Sequence, residues 1–162
     1  MSRRTHYVST QQGATLVDVA LAVSIAGILL SIGLATWTGS IRERRVSKVA
    51  EEIAALARFA QQSAIADSIG ACSYRVVVSG SGAAVRPLPP NVTTLCSPPA
   101  APGAALRVLG GYPGGVTVTS GTVDFLPSGR TGTGTTSISV TAGTSVRRVQ
   151  IDGATGRVEV TP

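Results

Sequence analysis

Hydrophobic and polar positions divide the chain into three regimes. Residues 19–41 (VALAVSIAGILLSIGLATWTGSI) hold no charged side chain, and from Ala14 to Ile41 the one charge is Asp18. As a helix at about 1.5 Å per residue, residues 19–41 reach about 35 Å, enough for a bilayer core of about 30 Å. Trp37, near the far end, suits an interfacial anchor. Beyond Ile41, Val46, Val49, Ala50, Ile53, Leu56, Ala57 and Ala60 recur at three- and four-residue spacing, while Arg45, Lys48, Glu52 and Gln62 fall mainly on the other side. That periodicity predicts one helix from about 15 to 66, its second half amphipathic and packed under a head domain. Lys48 and Glu52 stand at i, i+4, a pairing worth a few tenths of a kcal/mol.

After Gly70 the period shortens to two. Runs at 73–79, 83–87, 105–109, 115–119, 122–126, 136–141, 145–152 and 157–161 read as short strands between turn residues. The stretch 87–103 (PLPPNVTTLCSPPAAPG) is a Pro-rich loop that no central strand accommodates; its Asn91-Val92-Thr93 sequon reads as chance. The last two runs pair as a hairpin around Gly153-Ala154-Thr155-Gly156. Ile151 opposite Val158 and Val149 opposite Val160 share one face; Gln150 opposite Glu159 and Asp152 opposite Arg157 share the other. Val146 falls out of phase with Val149, which predicts a bulge near Arg147-Arg148.

The expected fold class is therefore α+β: a long N-terminal transmembrane helix packed against a small antiparallel β-rich head. Its expected parts are a leader at 1–13, a membrane-spanning helix at 14–41, an amphipathic continuation at 42–70 and a head at 71–162. A cleavable signal peptide competes, with Ala22-Val23-Ser24 or Leu34-Ala35-Thr36 as its cleavage site. Against it, the helical pattern runs on into 42–66 without a turn. Charge counting leaves orientation open, because Arg3 and Arg4 flank one end of the span and Arg42, Arg44 and Arg45 the other.

Composition excludes more than it selects. The net charge is +6 and Lys48 is the single lysine among 14 Lys and Arg residues. Such a balance permits weak attraction to nucleic acid or anionic lipid, and equally a solvated basic surface. The one histidine, His6, lies in the leader. No phosphate-binding GxxxxGK[ST] loop is present, and the run Gly129-Arg130-Thr131-Gly132-Thr133-Gly134 has no helix after it. Nothing clusters as metal ligands do. No enzyme and no cofactor is expected.

Asp18 is the informative residue, because a lone carboxylate among apolar side chains wants a partner. Cleavage after Gly13 would create an α-amino group on Ala14, and Asp18 is at i+4 from it. A plain acid at a helix start is the simpler alternative. The segment Gly13-Ala14-Thr15-Leu16-Val17-Asp18 resembles the prepilin motif, in which Gly precedes the cut and an acid is fifth in the mature chain. That resemblance to type IV pilin-like proteins implies cleavage and N-methylation by a prepilin peptidase. It implies that Asp18 pairs with the terminal amine of a neighbouring pilin or pseudopilin subunit. It further implies a single-pass protein of the inner membrane with its head in the periplasm or outside. Ala14 replaces the usual Phe or Met, Asp18 the usual Glu, and Ala35 the common Pro.

Cys72 and Cys96 are the only cysteines. With the head outside the cytoplasm one disulfide is their simplest use, worth about 3 kcal/mol; a pair of buried thiols is the alternative. Within the pilin-like proteins the head resembles the H-type pseudopilin and FimT-like group in Val123-Asp124-Phe125-Leu126-Pro127-Ser128-Gly129, Val149-Gln150-Ile151 and Gly156-Arg157-Val158. Its first implication is a minor pseudopilin, a structural subunit of a type II secretion pseudopilus. The alternative is a minor pilin of a type IV pilus, with DNA as a partner through Arg130, Arg147, Arg148 and Arg157. DNA-binding members carry a second basic residue where this chain has Glu159, which counts against DNA. A signal-anchored envelope domain is the reading without a filament.

Overall fold

The computed structural model describes residues 15–67, 72–88, 104–132 and 134–162, without the side chains of residues 32–36. The leader 1–13, Ala14 and residues 89–103, which include Asn91 and Cys96, lie outside the described residues. Helix α1 spans Leu16–Ala66. Eight strands follow: β1 (Ser73–Ser79), β2 (Gly82–Leu88), β3 (Arg107–Gly110), β4 (Thr117–Val118), β5 (Gly121–Phe125), β6 (Thr136–Ala142), β7 (Ser145–Ile151) and β8 (Val158–Thr161). They form two antiparallel sheets, in the orders β3-β2-β1-β5 and β4-β6-β7-β8. The chain divides into two compact units, Met1–Gly39 and Ser40–Pro162.

Among the described residues, no helix is long and apolar enough to cross a membrane. This corrects the expected fold class at its first element, the transmembrane helix over 14–41. It also corrects the expected localisation as a single-pass inner-membrane protein. The physical reason in the described residues is Asp18, which puts a charge in the first turn of that helix, where an unpaired carboxylate is costly in hydrocarbon. The described architecture is α+β, with one helix and two antiparallel sheets.

The first unit begins with reciprocal capping. Thr15 Oγ1 accepts from the Asp18 amide (3.3 Å), and Asp18 Oδ2 accepts from the Thr15 amide (3.0 Å) and hydroxyl (2.7 Å). Two of the first turn's free donors are thereby satisfied. Further along, Ser24 Oγ donates to the Ala20 carbonyl (2.8 Å) and Ser31 Oγ to the Ile28 carbonyl (2.7 Å). Both hydroxyls turn back onto their own helix, so the surface of this segment stays apolar.

In the second unit the rest of α1 shares one core with both sheets. Val46, Val49, Ala50, Ile53, Ala54, Leu56, Ala57, Ala60 and Ala64 are buried, as are Tyr74, Val76, Val85, Val123 and Phe125 of one sheet and Ile138, Val140, Val149 and Ile151 of the other. Alanine at so many helix positions lets the sheets pack close. Tyr74 and Phe125 are cross-strand partners and supply much of the buried volume. On the outer face of the same strand pair, Arg75 grips Asp124 through two bonds of 2.7 and 2.8 Å.

The β7–β8 hairpin keeps the register read from its sequence: Ile151 opposite Val158, Val149 opposite Val160, Gln150 opposite Glu159. No bulge interrupts β7, whose pairing with β6 is continuous from Ser145 to Ile151. Val146 simply faces outward, 41% exposed, and its neighbour Arg147 takes the inward position, where it reaches Glu43 (3.3 Å). An ion pair, rather than an extra residue, absorbs the break in alternation.

Gln61 of α1 stitches the helix to the loops between strands. Its Nε2 donates to the carbonyls of Gly129 (3.0 Å) and Thr155 (3.3 Å). Gly129 and Gly156 both have positive φ, 78° and 70°. A Cβ on Gly156 would meet the Gly129 carbonyl and the Gln61 amide, so this close approach excludes any side chain.

Candidate functional site

The first candidate is the helix surface of the Met1–Gly39 unit. Leu16 (87% exposed), Val17, Val19, Leu21, Val23, Ile25, Ile28, Leu29 and Leu30 are each more than half exposed, and Trp37 is 69% exposed. They point in all directions around the helix rather than along a stripe. Asp18 is the one charge among them, held by Thr15 as described. Those bonds, the hydroxyl first and the amide second, hold its carboxyl below the usual carboxylate range. Asp18 therefore remains an anion able to accept further donors through Oδ1, while Oδ2 is engaged. Gly13 and Ala14, the expected cleavage pair, lie outside the described residues.

The four arginines proposed from sequence as an anion-contact set do not act alike. Arg147 and Arg148 are adjacent on β7 and take opposite faces. Arg147 faces inward to Glu43, and Arg148 faces outward between Ser139 and Thr161 of the flanking strands. Arg157 is bound by Glu159 (2.7 Å) on its own outer face. Arg130 lies in the turn after β5, exposed, its carbonyl accepting from the Leu126 amide (2.8 Å). Two of the four charges are thus compensated by acids.

A shallow cavity of about 310 Å³ lies beside the hairpin, lined by Gln150, Asp152, Thr155, Arg157 and Glu159. The Asp152 side chain is spent on the turn itself: its Oδ1 accepts from the Thr155 hydroxyl (2.7 Å), the Thr155 amide (2.8 Å) and the Ala154 amide (3.1 Å). Those bonds, Thr155's first, lower its carboxyl below the usual range. The cavity holds one more acid and one base, already paired. Its chemistry is that of a stabilised turn.

Cys72, buried at the entry to β1, takes part in a disulfide. The sequence's other cysteine, Cys96, lies outside the described residues. Nearby, the Tyr74 hydroxyl donates to Asp67 Oδ2 (3.3 Å) at the end of α1. Burial, and then the Asp67 charge, push the Tyr74 phenol up to about 12. This pair joins the helix end to the first strand. Among the described residues, no three His, Cys, Asp or Glu side chains converge as metal ligands would.

Sequence reasoning missed two features. Gln61 and the two glycines it meets act together, although Gly129 and Gly156 both stood in segments singled out for resemblance. The other is a cavity between Arg42, Arg45 and two glycine turns, which no linear motif marks. Comparison with known proteins finds no matching protein-family model, no matching curated protein and no matching solved structure.

Proposed function

We propose that this chain is a minor pseudopilin, a structural subunit of a type II secretion pseudopilus, matured by prepilin peptidase between Gly13 and Ala14. One observation carries the reading: the nine large apolar side chains from Leu16 to Leu30, each more than half exposed. Burying such a side chain is worth about 1.5–3 kcal/mol. Covering nine of them is worth on the order of 10 kcal/mol, as much as the whole stability of many domains. A surface of that kind calls for a partner. Neighbouring helices of the same type, bundled in a filament core, fit it, because Ala20, Ala22, Ala26 and Gly27 stand between the large residues and let helices close together.

Asp18 supports the same reading. It is ionised at the start of the apolar surface with one oxygen unspent, and a neighbour's terminal amine is the donor the prepilin resemblance supplies. Glu159 favours a pseudopilin over a DNA-uptake pilin, since it neutralises Arg157 where DNA contact would want a second cation. The chemistry of the subunit is assembly: it catalyses nothing and contributes a helix to a shared core.

The test is intact mass and N-terminal sequencing of the full chain, with and without co-expressed prepilin peptidase. A mature chain beginning at Ala14 and heavier by one methyl group is expected. A chain that keeps its leader, or is cut after the apolar run, overturns the proposal.

A further inference from the structure

At the start of the Ser40–Pro162 unit, Arg42, Glu43, Arg44 and Arg45 bring three guanidinium groups to one turn of α1. The single acid in that group is already taken, because Glu43 accepts from Arg147. Among the described residues Arg45 donates only to the Gly114 carbonyl, at 3.4 Å. Among the described residues Arg42 and Arg44 have no hydrogen-bond or ion-pair partner. Arg42 and Arg45, three residues apart, share a helix face.

That face meets two turns. Val116 donates to the Pro113 carbonyl (3.1 Å), closing a turn with Gly115 at φ 82°, the position where such a turn wants glycine. Between β6 and β7, Ala142 pairs with Ser145 and Gly143 has φ 61°, a two-residue hairpin connection. The two turns and the two arginines enclose a cavity of about 320 Å³ lined by Arg42, Arg45, Gly114, Gly115, Ala142 and Gly143. A Cβ on Gly143 would stand 3.5 Å from Arg42 Nη1, so the guanidinium lies directly against that turn. The wall is glycine backbone and alanine, with no acid in it.

We propose that this cavity is an oxyanion site that takes a phosphate group carried on a small organic moiety. Guanidinium groups offer paired donors in a plane that matches phosphate oxygens, which suits Arg rather than Lys here. Glycine turns leave backbone close enough to contact an anion. The volume lies at the lower end of ligand pockets and exceeds what a bare phosphate fills, so a phosphate ester fits. A second copy of this chain offers little to it. Of the seven acidic side chains in the Ser40–Pro162 unit, Glu43, Glu52, Asp67, Asp124, Asp152 and Glu159 are engaged already, which leaves the exposed Glu51 alone. The site is independent of the filament reading.

Binding to the full-length protein in a neutral detergent tests it by calorimetry, using glycerol 3-phosphate as the monoester and glycerophosphoglycerol as the diester. Saturable binding of at least one is expected, weakened about tenfold or more by Arg42→Gln with Arg45→Gln. Arg148→Gln, at an exposed arginine outside the cavity lining on the outward face of β7, leaves it unchanged. Tighter monoester binding identifies a free phosphate compound as the source, and tighter diester binding a lipid headgroup. No saturable binding of either overturns the site. So does affinity indifferent to the Arg42 and Arg45 changes, or lost equally with Arg148→Gln. Both target arginines are exposed, so an unchanged thermal midpoint separates lost binding from lost fold.

Discussion

The two halves of helix α1 are built from similar apolar material and meet opposite fates. Between Leu16 and Leu30 the large side chains surround the helix and stand in the open. Between Val46 and Ala64 they form a stripe, more than half of it alanine, buried against both sheets. The difference is one of shape before it is one of hydrophobicity. A stripe with charged residues opposite can be satisfied by one core, whereas an apolar surface on every side cannot be satisfied by any single sheet. The second half finds its partner within the chain, and the first is left exposed.

The largest test of that contrast sets one substitution in each half side by side. Ile53 is fully buried and Ile25 is 51% exposed. Ile53→Ala is expected to cost about 4 kcal/mol of unfolding free energy. Ile25→Ala is expected to cost less than about 0.5 kcal/mol while reducing filament incorporation measured by cysteine crosslinking. Equal stability losses would break the comparison.

Next in size is the disulfide at Cys72. Its removal by Cys72→Ser should lower stability by about 3 kcal/mol on loop-closure grounds. Reductant should produce the same loss in the native chain and none in the variant, read by denaturant unfolding.

A smaller effect sits at the junction of helix end and first strand. The Tyr74 phenol is raised from 10.0 to about 12, so the folded state holds its proton longer than the unfolded state. Its contribution is complete below pH 10 and falls as pH rises from 10 to 12, by on the order of 2–3 kcal/mol. Phenolate absorbance should show one tyrosine titrating late, and Tyr74→Phe should remove that part of the alkaline stability loss. Smallest is the Arg147–Glu43 pair, whose partners are 29% and 63% exposed. Glu43→Gln should change stability by less than about 0.5 kcal/mol, and raised salt should change it less still in the variant.

Much of the fold was legible because short-range rules decide it. Alternating burial placed β1, β6 and β7 within a residue of their observed bounds, and the β7–β8 register followed from matching two apolar faces. The buried stripe from Val46 to Ala60 followed from helical spacing. Arg147 was misread because alternation alone cannot see an acid on a distant helix: a residue on the inward face looked like a bulge when it was an ion pair. The four arginines do not share one face for a related reason, since adjacent residues on a strand face opposite ways. Hydropathy summed along residues 19–41 predicts a membrane span, whereas among the described residues no helix is long and apolar enough to cross one.

By itself the sequence determined the elements, their periods and the pairing of the last hairpin, because each depends on neighbours a few positions away. It also set the charge surplus and the lone carboxylate that begins the helix. Only the tertiary structure decided which cations are compensated, which glycines are pinned by Gln61, and where Arg42 and Arg45 meet two turns about 70 and 100 residues further on. Those outcomes depend on distances between parts of the chain far apart in sequence, and packing alone brings such parts together.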